Sequence, residues 1–83
     1  MITVYGKPSC VQCNATYRAL DNAGVPYEVV DVTISAAAYE YVSDDLGCSQ
    51  APVVVVDEHD HWSGFQPDEI RRVAARLNPA ASH

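Results

Sequence analysis

The chain has 83 residues, 48% of them hydrophobic, which suits one small domain with a single core, since a chain of this size buries roughly 60% of its unfolded surface. Its formal net charge of −6, with only five Lys and Arg, disfavours binding to nucleic acid or to an anionic membrane surface. The sequence has no apolar run near the roughly 20 residues that span a bilayer and no signal-peptide pattern, so we expect a cytoplasmic protein.

The first half of the chain alternates strand and helix. Residues 2–5 (ITVY) are rich in strand-forming types. From Cys10 onwards, apolar positions recur every three or four residues as far as Gly24, which predicts a helix. The stretch YEVVDV, residues 27–32, predicts a second strand, and the spacing over 34–46 predicts a second helix. Strands joined in this way by a helix are expected to be parallel.

The second half predicts two strands and a last helix. PVVVV, residues 52–56, is an uninterrupted run typical of a strand covered on both faces. A tight turn leads to a short strand at 61–63, and Pro67 suits the first turn of the final helix. We therefore predict a thioredoxin-like β-α-β-α-β-β-α fold, a four-stranded mixed sheet with its three helices on both faces. The domain is expected over 1–78, followed by a short frayed tail, 79–83.

Two cysteines stand three residues apart at the start of the first predicted helix. Cys10 is expected at or beside the N-cap, where free N–H groups and the helix dipole favour a thiolate and lower the thiol pKa from about 8.5 towards neutrality. Lys7 is a further positive charge nearby. Cys13 lies one turn along, in register with apolar residues, so we expect it to be more buried. This pattern predicts a working dithiol in which Cys10 attacks a partner's disulfide and Cys13 then attacks Cys10.

Two other interpretations of the pair compete with a redox role. A tetrahedral zinc site needs four ligands, and the sequence offers no second CxxC, only Cys48 and three histidines that we expect at the surface, His59, His61 and His83. A permanent disulfide is unusual in a reducing cytoplasm, and three cysteines, an odd number, do not suit a stapled scaffold. We expect neither a metal nor another cofactor. Cys48 is interpreted as a small, half-buried residue before the third strand.

Pro52 stands at the start of the third predicted strand, where a proline is tolerated although it donates no ladder hydrogen bond. If the Ala51–Pro52 bond is cis, the backbone of Ala51 stays free to pair with an extended segment of a partner. An ordinary trans proline is the alternative, and the sequence does not decide between the two.

Three blocks of sequence resemble the NrdH-redoxins, a branch of the glutaredoxins, and together they cover essentially the whole chain. They are, in chain order, CVQC at 10–13, QAPVVVV at 50–56 and WSGFQPDEI at 62–70. The resemblance implies a monomeric redoxin that takes electrons from thioredoxin reductase and passes them to the large subunit of class Ib ribonucleotide reductase. It also implies that Cys10 is the nucleophile, Cys13 the resolving residue and Pro52 a cis-proline.

The same resemblance implies a groove for partner proteins beside the dithiol. Its expected residues are Lys7, Val11, Gln12, Ala51, Pro52, Trp62, Ser63, Gly64 and Phe65. For Trp62 the sequence does not decide between a place in the core and a place on the partner-binding surface. Phe65 is expected in the core. Gly64, which has no side chain, is expected to leave space beside the groove. Residues 62–65 replace the segment where glutaredoxins have a Gly-Gly pair and an Asp that hold glutathione; a glutathione-dependent glutaredoxin remains the alternative. Gln66 stands where the family often has Arg.

Overall fold

The computed structural model of the chain describes residues 2–77, and the predicted tail, 79–83, lies outside this range. The elements are, in chain order, β1 (Ile2–Gly6), α1 (Val11–Asn22), β2 (Tyr27–Asp31), α2 (Ala36–Glu40), a π-helical turn (Tyr41–Asp45), β3 (Val53–Asp57), β4 (Asp60–Ser63) and α3 (Pro67–Leu77). The predicted order of strands and helices is confirmed. Among the helices of this range, none has the length and apolar character needed to cross a membrane.

The four strands form one mixed sheet in the order β2-β1-β3-β4. The crossover through α1 makes β1 and β2 parallel, whereas β3 is antiparallel to both β1 and β4. Val54 at the middle of β3 stands opposite Val4 on one side and Trp62 on the other. These three side chains therefore lie on the same face of the sheet, since directly opposed residues of paired strands share a face.

The two faces of the sheet are covered by different helices. On one face, Val4 and Val54 pack in the main core with Leu20 of α1 and Val73 of α3. On the other face, Tyr5 places its ring 5.6 Å from that of Tyr41 in the π-helical turn. Helices on both faces, as predicted, explain why consecutive residues of β3 are buried.

The second helical region differs from its prediction at its start. The spacing over 34–46 places Ile34 on an apolar helix face, but Ile34 is 84% exposed and precedes the helix. Ser35 is the N-cap, and its hydroxyl accepts a hydrogen bond from the Ala38 N–H at 3.2 Å. A serine side chain that satisfies a free N–H group is a stronger start signal than an apolar residue one position earlier.

Candidate active site

The two cysteines of the CxxC motif form a disulfide at the N-terminal end of α1. β1 ends at Gly6, and the turn that follows includes Ser9 in a left-handed conformation (φ 57°) before the helix begins. Cys10 has extended backbone angles, while Cys13 lies in the first turn, and their Cα atoms are 5.2 Å apart. The sharp passage from strand to helix thus brings the two sulfurs to the same place.

Cys10 is the N-cap of α1, as the sequence indicates. Its Sγ accepts a hydrogen bond from the Cys13 N–H at 3.2 Å, and its carbonyl accepts one from Asn14 at 3.0 Å. The first turn, Val-Gln-Cys-Asn, has no acidic side chain to oppose a negative charge on the sulfur. Free N–H groups at the positive end of a helix stabilise a thiolate relative to a thiol. Cys10 is therefore placed to be the reactive sulfur when the disulfide is open.

The two sulfurs differ in accessibility. Cys10 retains 8% of its surface, and it borders an open groove, whereas Cys13 is fully buried. The expectation that Cys13 is the more buried of the pair is confirmed. An external disulfide can thus reach Cys10 but not Cys13. The pair can therefore alternate between the dithiol and the disulfide, and an external thiolate or disulfide reacts with Cys10 alone.

A groove of about 420 Å³ runs beside Cys10, and we call it the active-site groove. Its lining consists of Lys7, Ser9, Cys10, Val11, Gln12, Ser49, Gln50 and Ala51. Four of the predicted groove residues are therefore brought together around the reactive sulfur. The Ala51–Pro52 bond is cis, which answers the question that the sequence left open. Pro52 itself is buried under the groove.

The loop 63–65 is fastened to the dithiol region by hydrogen bonds between neutral groups. Gly64 N–H donates to the Pro52 carbonyl at 2.7 Å, and Phe65 N–H donates to Gln12 Oε1 at 3.1 Å. The Ser63 hydroxyl donates to the Gln50 carbonyl at 3.1 Å. Gly64 has φ 82°, and a Cβ there would lie 3.4 Å from Gln12 Oε1, so glycine permits this close approach.

The structure decides between the two places left open for Trp62 and corrects the place expected for Phe65. Trp62 is only 6% exposed and belongs to the main core, so its ring is not a wall of the groove. The reason is register, because Trp62 pairs with Val54 on the face covered by α1 and α3. The expectation that Phe65 is in the core is wrong, since Phe65 is 38% exposed. Strand alternation ends at Ser63, and the left-handed Gly64 turns the next side chain towards solvent.

Sequence analysis did not identify the bridging role of Gln12. Its side chain is the acceptor that joins α1 to a loop more than fifty residues away in sequence. Gln66, noted as a departure from the family pattern, donates from Nε2 to the Ser63 carbonyl at 2.9 Å and so holds the same loop from within. No short-range sequence pattern identifies such contacts. The one available signal was Gln12 itself, a polar residue between the two cysteines that is not needed for dithiol chemistry.

The third cysteine stands apart from the disulfide. Cys48 is half-buried, as expected, and carries a free thiol 3.7 Å from the Leu46 carbonyl. It lines a cavity of about 260 Å³ together with Tyr5 and Val42, and this cavity adjoins the active-site groove through shared residues such as Ser49 and Gln50 but does not include Cys10. Within residues 2–77, no group of three or more His, Cys, Asp or Glu side chains is arranged to hold a metal ion.

Two arginines of the last helix form ion pairs at the end of the sheet away from the disulfide. Arg72 donates to both carboxylate oxygens of Asp60, at 3.0 and 2.8 Å, and Arg76 contacts Asp60 at 3.1 Å and Asp57 at 3.5 Å. The hydrogen bond from Arg72 is the main cause that holds the pKa of Asp60 below its usual range. Lys7 is the cation among the residues that line the active-site groove.

The chain is similar in sequence to known redoxins over most of its length. The Glutaredoxin family profile matches residues 2–62. The glutaredoxin-like protein NrdH of Escherichia coli K12 is 42% identical over 79 residues, which cover 95% of this chain and 90% of that protein. The Gene 56 protein of Mycobacterium phage D29 is 45% identical over 69 residues, covering 83% of this chain and 77% of that one.

The fold is similar to that of solved redoxin structures. The NrdH-redoxin from Escherichia coli superposes with a TM-score of 0.81 at 42% identity, covering 87% of this chain and 92% of that chain. The thioredoxin-like protein BC3987 superposes with a TM-score of 0.80 at 30% identity, covering 88% of this chain and 99% of that chain. The predicted thioredoxin-like arrangement is therefore confirmed.

Proposed function

This chain belongs to the glutaredoxin family, among its glutaredoxin-like NrdH members, and from that membership we propose that it carries electrons from thioredoxin reductase to a disulfide of class Ib ribonucleotide reductase. It does so as a cytoplasmic monomer that uses its dithiol and no cofactor. The observation that carries this proposal is the unequal pair at the start of α1, with Cys10 at the groove and Cys13 fully buried.

The two cysteines act in sequence. The Cys10 thiolate attacks one sulfur of the partner's disulfide, forms a mixed disulfide, and releases the other partner sulfur as a thiolate. Cys13 then attacks Cys10 Sγ, closes the Cys10–Cys13 bond, and releases the second partner sulfur. Two electrons pass to the partner in each cycle, and thioredoxin reductase returns two electrons by reducing the protein's disulfide. The N–H donors at the start of α1 favour the first step because they stabilise the attacking thiolate.

Partner proteins dock over the active-site groove and the exposed apolar side chains around it. Val11 is 81% exposed between the two cysteines, and Phe65 projects from the loop that Gln12 holds against α1. Apolar groups at the centre of a contact surface contribute binding energy to a complex with a partner protein. Glutathione, a small anionic thiol, cannot gain this energy. The thioredoxin-like activity profile attributed to the Escherichia coli NrdH-redoxin supports the same assignment.

The case against glutathione as the electron donor rests on the groove and not on the acidic stretch at 57–60. These acids directly precede the predicted groove segment 62–65 in sequence, and from that position alone one would expect them to repel an anionic tripeptide beside the dithiol. In the fold, the Asp57–Asp60 pair lies at the end of the β3–β4 hairpin opposite the Val53–Ser63 pair beside Pro52, and its carboxylates are paired with arginines. The groove instead offers one cation, Lys7, for a ligand with two carboxylates.

The test is a direct comparison of electron donors. The oxidised protein is assayed for reduction of a protein disulfide with NADPH and thioredoxin reductase, and in parallel with NADPH, glutathione and glutathione reductase. We expect turnover at least about tenfold faster in the first system, which corresponds to about 1.4 kcal/mol in kcat/KM. Equal or faster turnover with glutathione would overturn the proposal in favour of a glutathione-dependent glutaredoxin.

The proposed acceptor is tested separately with the purified large subunit of a class Ib ribonucleotide reductase. We expect the reduced protein to reduce a disulfide of this subunit, with one Cys10–Cys13 disulfide formed for each disulfide reduced, and we expect its Cys10→Ser variant to reduce none. If the reduced protein exchanges electrons with thioredoxin reductase but leaves the ribonucleotide reductase oxidised, the acceptor is wrong while the donor stands.

A further inference from the structure

Cys13 faces a side chain that the mechanism above does not use. A Cβ added to Gly6 would lie 3.3 Å from Cys13 Sγ and in closer contact still with the hydroxyl of Tyr17. The buried sulfur and the tyrosine hydroxyl therefore both border the space that a side chain at Gly6 would fill. Tyr17 lies four residues after Cys13 on α1, so the two side chains share one face of the helix.

The ring of Tyr17 is held in place independently of its hydroxyl. It stacks on the ring of Tyr27, with centroids 5.9 Å apart and planes 5° from parallel. Among residues 2–77, the Tyr17 hydroxyl donates to no protein acceptor while the disulfide is closed. Burial, followed by the carboxylate of Asp31, raises the pKa of Tyr17, so its hydroxyl keeps its proton at neutral pH and is available as a donor.

We propose that Tyr17 is a further catalytic residue, whose hydroxyl donates a hydrogen bond to Cys13 Sγ whenever the disulfide is open. This inference rests on the resolving role proposed for Cys13. A buried thiol is a poor nucleophile, because burial without a donor disfavours its anion. A hydrogen bond from a neutral phenol stabilises that anion without adding a charge to the core.

The hydrogen bond acts in both directions of the cycle. When the mixed disulfide is resolved, the Cys13 thiol loses its proton to water, its thiolate attacks Cys10 Sγ, and the bond from Cys10 to the partner sulfur breaks. When a reductase thiolate attacks Cys10 Sγ, the Cys10–Cys13 bond breaks and Cys13 leaves as a thiolate. In both steps the charge on Cys13 Sγ is the charge that Tyr17 stabilises.

An open cavity of about 250 Å³ gives solvent access to this position. It is lined by Gly6 and Tyr17 and by two charged residues, Lys7 and Asp31. The titratable groups that face Tyr17 from other elements are Lys7, in the turn after β1, and Tyr27 and Asp31, in β2. The cavity thus brings solvent to Gly6 and Tyr17, the two residues beside Cys13 Sγ, while Cys13 itself does not line it.

The first test measures the acidity of Cys13 itself. In a protein that carries Cys10→Ser and Cys48→Ser, Cys13 is the remaining thiol, and the NMR shift of its labelled Cβ follows its ionisation with pH. Tyr17→Phe removes the hydroxyl and keeps the stacked ring. We expect it to raise the Cys13 pKa so that the thiolate fraction at neutral pH falls roughly tenfold, as for the loss of a hydrogen bond to a charged group.

Tyr27→Phe is the matched control, because it removes a hydroxyl that donates to the Tyr17 carbonyl at 3.3 Å and lies in the same ring pair. We expect it to leave the Cys13 pKa unchanged. A Cys13 pKa that is the same in wild type and Tyr17→Phe would overturn the proposal. An equal rise in both tyrosine variants would also overturn it, since the effect would then come from ring packing.

The second test is the dithiol–disulfide equilibrium with dithiothreitol, in a protein with both active-site cysteines. At a pH above the Cys13 pKa, we expect Tyr17→Phe to shift this equilibrium roughly tenfold towards the disulfide, or about 30 mV, because the thiolate of the open form loses a hydrogen bond. An unchanged equilibrium would contradict the proposal. Neither test contains thioredoxin reductase or ribonucleotide reductase, so a wrong partner assignment would leave both results unaffected.

Discussion

The two ends of the β3–β4 hairpin are held by opposite kinds of interaction. At the end where Val53 pairs with Ser63, beside the dithiol, the contacts are hydrogen bonds between neutral groups, such as that from Gly64 N–H to the Pro52 carbonyl. At the other end, beyond the Asp57–Asp60 pair, the hairpin is held to α3 by arginine–carboxylate pairs.

The separation of these ends matters for the chemistry of the sulfurs. A strand rises about 3.4 Å per residue, so the five residues of β3 set the ends roughly 15 Å apart. That exceeds the Debye length of about 8 Å at physiological salt. The ion pairs can therefore stabilise the fold without changing the charge on Cys10, which is governed by the N–H groups of α1. The following predictions test this division between a reactive end that is held by hydrogen bonds between neutral groups and a structural end that is held by ion pairs.

The largest effect is expected from the cysteines at the reactive end. Cys10→Ser removes the accessible sulfur, and we expect disulfide reduction to fall at least about 100-fold. Cys13→Ser keeps the attacking sulfur but not the resolving one, so a mixed disulfide with the substrate protein should accumulate and be visible by mass spectrometry. Cys48→Ser is the control and should stay within about twofold of wild type, because Cys48 is outside the disulfide and does not line the active-site groove. Substantial activity in Cys10→Ser would show that the nucleophile is assigned wrongly.

The sequence predicted the reactive end well where the signals are local. An N-cap cysteine and a buried second cysteine are indicated by the CxxC spacing, by the strand before it and by the helical period after it. In the structure Cys10 is the N-cap and Cys13 is buried. The run of valines in β3 is similarly sufficient to predict a strand buried on both faces. Each of these conclusions depends on neighbours within one turn of helix or one strand.

The features that sequence analysis missed depend on contacts between distant segments. The outward turn of Phe65 depends on a left-handed Gly64 and on an acceptor from Gln12, which no periodicity reveals. The acids at 57–60 are close in sequence to the predicted groove segment 62–65, but a hairpin places them at the end of the sheet away from the disulfide. Whether such residues form part of a site is decided by strand register, and register comes from the assembled sheet.

A smaller effect is expected from the bridge between α1 and the loop 63–65. Gln12→Met removes the acceptor for Phe65 N–H while keeping the length of the side chain. Phe65 is partly exposed, so water replaces the lost hydrogen bond and stability should change by less than about 1 kcal/mol. The loop, however, loses its fixed position beside the groove. We expect KM for thioredoxin reductase to rise about threefold to tenfold, with kcat within about twofold of wild type.

The matched control for this bridge is Gln66→Met, which removes a hydrogen bond within the same loop but leaves its attachment to α1. Its effect on KM should be clearly smaller than that of Gln12→Met. Equal effects of the two variants would mean that the loop responds to any lost hydrogen bond, and an unchanged KM in both would show that the position of Phe65 does not matter for docking.

The smallest effect is expected at the ionic end, from Asp60→Asn. Because Arg72 holds the pKa of Asp60 below its usual range, the carboxylate adds stability above the pKa of an unfolded Asp, about 3.9, and this contribution is lost as the pH falls through the lower folded value. Unfolding by urea should show a loss of about 0.5–1 kcal/mol at pH 7 and low salt, in the upper range for partly exposed ion pairs.

This difference between Asp60→Asn and wild type should shrink as the pH falls below about 4, where the carboxyl of the unfolded wild-type chain begins to bind a proton, and it should shrink with added salt. Asp68→Asn is the control, since the Asp68–Arg71 pair is far more exposed and should contribute little. Turnover by Asp60→Asn should equal that of wild type at all salt concentrations. A change in turnover that follows the loss of this ion pair would mean that the ionic end does reach the sulfurs, and the division between the two ends of the hairpin would fail.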